Sequence, residues 1–214
     1  MARRSRSPRR RLPGRLRGRY GRFARWIVVL GVLVAAIAET RQSALFYPLD
    51  QPFDRALYGH WIDGDGDCQD TRTEVLVQES LEPPTLDARG CTVIAGHWYD
   101  PFTDQTITEP RALDVDHRVP LAEAHRSGAH RWDATRRQAF ANDLSHPDTL
   151  IAVALEANRS KGDRDPLSWL PSAWGYRCAY TARWRATKQR WALEEDLLEG
   201  LWIDTVLGVC RLTG

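Results

Sequence analysis

The sequence predicts one small α+β domain behind a basic, apolar leader. Three observations carry the prediction. Apolar and β-branched runs at 91–97, 112–119 and 149–155 read as strands, and helical spacing of apolar residues takes over after 121 and toward the C-terminus. Residues 1–38 hold eleven arginines and no acid, a composition unlike anything that follows.

The leader divides into a basic stretch at 3–25 and an apolar run at 26–38 (WIVVLGVLVAAIA) that ends in Ala36-Ile37-Ala38, the small-x-small pattern of a signal-peptidase site. Cleavage is expected after Ala38. The run is shorter than the roughly 20 residues of a spanning helix, and the alternative is an uncleaved N-terminal anchor. Basic residues precede the run, so the remainder is exported either way, with transient membrane contact through the leader. The expected organisation is 1–38 signal peptide or anchor, 39–54 linker and 55–214 domain, secreted or membrane-anchored, and monomeric. Residues 39–214 carry 19 basic and 28 acidic side chains, a net of −9. Bulk charge therefore gives no support to nucleic-acid binding, which has to rest on local residues.

The four cysteines, Cys68, Cys91, Cys178 and Cys210, all follow the leader, as in an oxidised exported domain. Of three pairings, Cys68–Cys91 and Cys178–Cys210 each close a local loop and are expected. No Cys-x-x-Cys is present, which disfavours a four-cysteine zinc site.

Along the chain, 73–77 reads as a short strand or a helix start. Residues 91–97 read as a strand turned by Asp100-Pro101, and 112–119 as a second strand stopped by Pro120. Asp133 caps a helix through Phe140, with Trp132 as a staple just outside it. The run TLIAVAL at 149–155 is a buried strand, and 158–162 is a short helical turn. Two amphipathic helices close the chain: Tyr180, Trp184, Lys188 and Trp191 mark one face of the first, and Leu197, Leu198, Leu201 and Val206 mark the second. Trp98, Trp132, Trp169, Trp184 and Trp191 read as core.

Asp116 and His117 stand side by side near the end of a strand, and Asn158 follows a second strand at a helix. This strand–strand–helix order suits a one-metal phosphodiesterase. Oxygen ligands from Asp116 and Asn158 suit Mg²⁺ or Mn²⁺, and His117 can take a proton from an attacking water. Arg159 and Lys161 place cations for a phosphate. Neighbours on a regular strand point to opposite faces, so Asp116 and His117 share a site only at an irregularity or a strand edge.

The runs VDHRVPLAEA, SGAHRW, FANDL, TLIAV, ANRSKGDRDP and WLP, with DGDGDCQDTRTEVL and GHWYDPFT upstream, resemble the HNH nucleases grouped with the C-terminal domain of the GmrSD restriction enzymes. The resemblance covers residues 55–210. It implies a ββα-metal core in which Asp116 and Asn158 hold one divalent ion and His117 is the general base. It implies hydrolysis of nucleic acid, DNA ahead of RNA, to a 5′-phosphate and a 3′-hydroxyl. The HNH domain of CRISPR effectors has a similar arrangement. The chain departs from that pattern at Thr149, where a middle Asn is usual; Asn142 is the candidate to replace it in the supporting loop.

Asp63, Asp65, Asp67 and Glu74 match ligand positions of an EF-hand loop, although Cys68 stands where glycine is usual. They make a candidate Ca²⁺ site, and a non-catalytic exported calcium- or envelope-binding module is the alternative function. His125 and His130 match no metal-ligand spacing.

Overall fold

A computed structural model describes residues 52–213; the leader and the linker up to residue 51 lie outside the described residues. A 3-10 turn (Arg55–Tyr58) is followed by helix α1 (Thr71–Glu79) and strands β1 (Thr85–Leu86), β2 (Val93–Ala95), β3 (Trp98–Asp100), β4 (Gln105–Ile107) and β5 (Leu113–His117). Helices α2 (Leu121–Arg126) and α3 (Ala134–Ala141) lead to strand β6 (Leu150–Ala154). Helices α4 (Leu155–Lys161), α5 (Arg177–Trp191) and α6 (Leu197–Thr213) complete the order. The described part is one small α+β domain whose strands form three antiparallel pairs, β1–β2, β3–β4 and β5–β6. None of the described helices is long and apolar enough to cross a membrane.

The β5–β6 pair organises the rest. Its register runs from Leu113 opposite Ala154 to His117 opposite Leu150. Strand alternation sends Leu113, Val115, Leu150 and Ala152 into a core shared with Val75, Leu76, Val93 and Trp98. Ile151 and Val153 enter the other core, with Phe102, Phe140, Tyr180, Trp184 and Ile203. Burial on both faces explains why TLIAVAL is continuously apolar rather than alternating.

Local chemistry sets most of the boundaries. Asp70 accepts the Thr73 N–H at 2.8 Å, which makes 71–79 a helix and removes the strand alternative for 73–77. Asp133 caps α3 through the Arg136 N–H, and Trp132 packs edge-on against Phe140. The expected strand at 91–97 is broken. Only Val93–Ala95 pairs, and Gly96 then passes so close to the Trp98 indole that a Cβ would lie 2.5 Å from it. Helix α4 starts at Leu155, earlier than expected, and stops at Gly162, whose φ of 58° is left-handed.

The C-terminal helices need one correction. Tyr180, Trp184 and Lys188 are buried on α5 as expected, with Trp191 half-buried. On α6, Leu197 and Leu201 face solvent, whereas Glu199 and Ile203 are buried. The reason is electrostatic. Lys188 Nζ contacts Glu199, Glu123 and Ser127 inside the domain, and Trp184 Nε1 donates to Glu199, so the helix turns its carboxylate inward.

Both expected disulfides are present. Cys68–Cys91 ties the loop before α1 to the start of β2, and Cys178–Cys210 ties α5 to α6. Each stabilises the fold by about 3 kcal/mol, chiefly by restricting the unfolded chain.

Candidate metal centre

Asp116, His117 and Asn158 line one open pocket of about 210 Å³, together with Phe53, Arg55, Val115, Pro120, Leu121 and Ala122. It lies beside β5, which pairs with β6 alone among the described strands. Asp116 and His117 do point to opposite faces of the strand. They meet in one pocket because it opens at the strand's end, where Pro120 diverts the chain into α2.

His117 is oriented by two contacts. Nε2 lies 2.9 Å from the Ala141 carbonyl at the end of α3, so Nε2 carries the proton and Nδ1 keeps its lone pair. The ring stacks on Trp61, with centroids 5.1 Å apart and planes within 8°. Burial pushes its pKa down to about 3, and Arg55 and Lys161 add to the effect. At neutral pH the imidazole is uncharged, the form a base requires.

Asp116 is held by Lys161. Nζ donates to both carboxylate oxygens and to the His117 carbonyl, each at 2.8 Å. Burial pushes the carboxyl up and the ammonium down, and their contact opposes both shifts. Three acceptors around one ammonium favour the ionised pair. Lys161 is therefore not the phosphate cation expected from its sequence: it is fully buried and its donors are taken. Arg159 is exposed beside Asn158, and Arg55, which no sequence motif singles out, lines the pocket itself.

The donor set fits a hard cation. A carboxylate has about four lone-pair sites and Lys161 takes two, which leaves Asp116 able to offer oxygen along with the amide oxygen of Asn158. Asn158 Nδ2 donates to Asp114 Oδ2 at 3.1 Å.

The supporting loop differs from expectation in one residue. Asn142 accepts from the Ile62 N–H and Thr71 Oγ1 and donates to the His60 and Gln138 carbonyls. Its bonds to Ile62, Thr71 and His60 fasten the 60–71 segment to the end of α3, and the fourth closes back on α3 itself, so Asn142 does not replace a loop Asn. Asp143 does the tying, accepting from Ser145, Thr149, Arg190 and Trp191 Nε1. Thr149 stays in the loop, bonded to Asp143 and Arg190 through its hydroxyl, with its carbonyl accepting from Arg118 N–H.

No family model matches the chain, and no solved structure matches it. An uncharacterized secreted protein of Arthroderma benhamiae is 36% identical over 179 residues, covering 81% of this chain and 86% of that protein. This chain belongs to the same family.

Two further features of this family member bear on metals. The carboxylates of Asp63, Asp65 and Asp67 are exposed, and each offers an oxygen within 4.8 Å of the others; among the described residues no other three His, Cys, Asp or Glu side chains converge this way. Glu74 stands close enough that, after burial, these three aspartates are what raise its pKa. Cys68 has φ 74°, so it adopts the left-handed turn that glycine usually makes. His125 is buried against the Tyr58 hydroxyl, and His130 Nδ1 contacts the His125 carbonyl.

Proposed function

We propose that this protein is an exported, metal-dependent HNH-type endonuclease whose β5–β6 pair and α4 act as a ββα-metal core. One observation carries the reading. Asp116 at a strand end and Asn158, 42 positions later on the following helix, line one pocket with a neutral, tautomer-fixed histidine. The resemblance in ordered motifs and the strand–strand–helix sequence support it. Export is supported by the leader, by two disulfides, and by the name of the fungal relative, a secreted protein.

In this reading His117 Nδ1 takes a proton from a water that attacks phosphorus. The bond to O3′ then breaks, leaving a 5′-phosphate and, after protonation by solvent, a 3′-hydroxyl. Trp61 and the Ala141 carbonyl keep the ring from turning. Asp116 and Asn158 hold one Mg²⁺ or Mn²⁺ ion, which when bound supplies positive charge toward the phosphate oxygens. Arg55 and Arg159 provide the nearby guanidinium groups for the nucleic-acid backbone, DNA ahead of RNA. The protein acts as a monomer. The test is cleavage of plasmid DNA and of RNA in Mg²⁺ and Mn²⁺. His117→Ala should abolish cutting while the circular dichroism spectrum is unchanged, and undiminished cutting overturns the assignment.

A second reading has one observation in its favour, the convergence of Asp63, Asp65 and Asp67. It takes the protein as a non-catalytic exported calcium- or envelope-binding module. Calorimetry with Ca²⁺ should then show binding that Asp65→Asn removes, with no nuclease activity under any divalent ion. Absence of Ca²⁺ binding defeats it.

A further inference from the structure

Asp114 has no part in the functional pattern of the sequence, yet it touches the candidate site. It lies on β5 two residues before Asp116, so both project from the same face of the strand toward α4. Asp116 is matched by Lys161, whereas the contact made by the half-buried Asp114 is with Asn158 Nδ2, at 3.1 Å. The chemistry of an amide gives that contact a consequence. A side-chain amide ligates a hard cation only through its oxygen, and it can rotate by half a turn to present nitrogen instead. A carboxylate accepts and never donates when ionised, so Asp114 can bond only the nitrogen end. That fixes which end of Asn158 is left for the pocket it lines with Asp116 and His117.

We infer that Asp114 is a positioning residue for Asn158: it anchors the amide nitrogen and thereby holds the carbonyl oxygen ready for the cation. The inference rests on the metal-centre reading above. It assigns Asp114 an outer role, acting through Asn158 rather than on substrate. Outer partners of this kind typically alter metal affinity about 10- to 100-fold when removed.

The experiment measures Mn²⁺ affinity of the full chain by electron paramagnetic resonance, without nucleic acid. Asp114→Ala should weaken binding about 10- to 100-fold. Asp114→Asn, which keeps an oxygen acceptor but adds an amide donor able to bond the wrong end of Asn158, should fall between wild type and Asp114→Ala. Asp114→Ala combined with Asn158→Ala should bind no more weakly than Asn158→Ala alone, because the first change acts only through the second residue. Asp114→Val, a good strand former, serves if the alanine variant fails to fold. If wild type binds no Mn²⁺, the metal-centre reading and this inference fall together. If wild type binds and Asn158→Ala weakens it, while removing Asp114 has no effect or an additive one, this inference alone is overturned.

Discussion

Lys161 Nζ lies 2.8 Å from each carboxylate oxygen of Asp116, and water reaches neither side chain appreciably. Ion pairs in such surroundings contribute little net stability over an apolar pair, but each member depends on the other.

Lys161→Met should accordingly destabilise the protein by about 3–5 kcal/mol, since it strands a buried carboxylate. Adding Asp116→Leu should recover most of that loss. Urea denaturation of the three proteins measures it; a single-variant loss below about 1 kcal/mol means the carboxylate finds water.

His117 should titrate far below an ordinary histidine, since burial holds its pKa near about 3 in the folded chain. An unfolded histidine titrates near 6.5. Between those values the unfolded chain takes up a proton that the folded chain refuses, so this residue's contribution falls as pH falls. NMR of the imidazole ring protons should show no titration through pH 6.5, and His117→Gln should flatten the acid limb of the stability curve. An NMR midpoint near 6.5 contradicts the structure.

Glu79 should act with the opposite sign. Burial pushes its carboxyl up to about 7, although it accepts the Ala152 N–H at the edge of β6. The stability it contributes is complete below about 4.5, the unfolded value, and is lost as pH rises through about 7. Glu79→Gln should reduce the fall in melting temperature over that window. Part of the fall should persist, because burial also raises Glu199 to about 7. An unchanged profile rules Glu79 out as a source.

Arg55 should matter to substrate binding more than to the chemical step. It lines the pocket while its Nη1 donates to the Gly59 carbonyl at 3.0 Å. Arg55→Gln should raise KM about tenfold, and the salt dependence of oligonucleotide binding should fall by about one phosphate contact. A changed kcat with an unchanged KM and salt slope would assign it a different part.

The legible portion of this molecule was what local chemistry writes. Asp133 announced α3, TLIAVAL announced β6, and cysteine spacing announced both disulfides. Where a long-range partner decides the outcome, the sequence misleads. Lys161 looks like a solvated cation in Asn-Arg-Ser-Lys, and only a carboxylate 45 residues earlier shows it to be buried. The exposed leucines of α6 follow from Glu199 turning inward toward Lys188, a pairing that helical periodicity does not register. Trp61 and Arg55 left no motif for a related reason, and Asp143 was legible only as one letter of FANDL: each meets the site, or the loop beneath it, through the third dimension.

The Asn142 clasp has a consequence for the order of assembly. Its bond to the Ile62 N–H spans 80 residues, and the segment it fastens carries Trp61, which lies flat on His117. A nascent chain holding His117 but not yet Asn142 or Lys161 has an imidazole without its fastened cover and an aspartate without its counter-charge. The pocket therefore comes into being late and all at once, when α4 folds back on β5. Until then the growing polypeptide carries the residues of the site without the site.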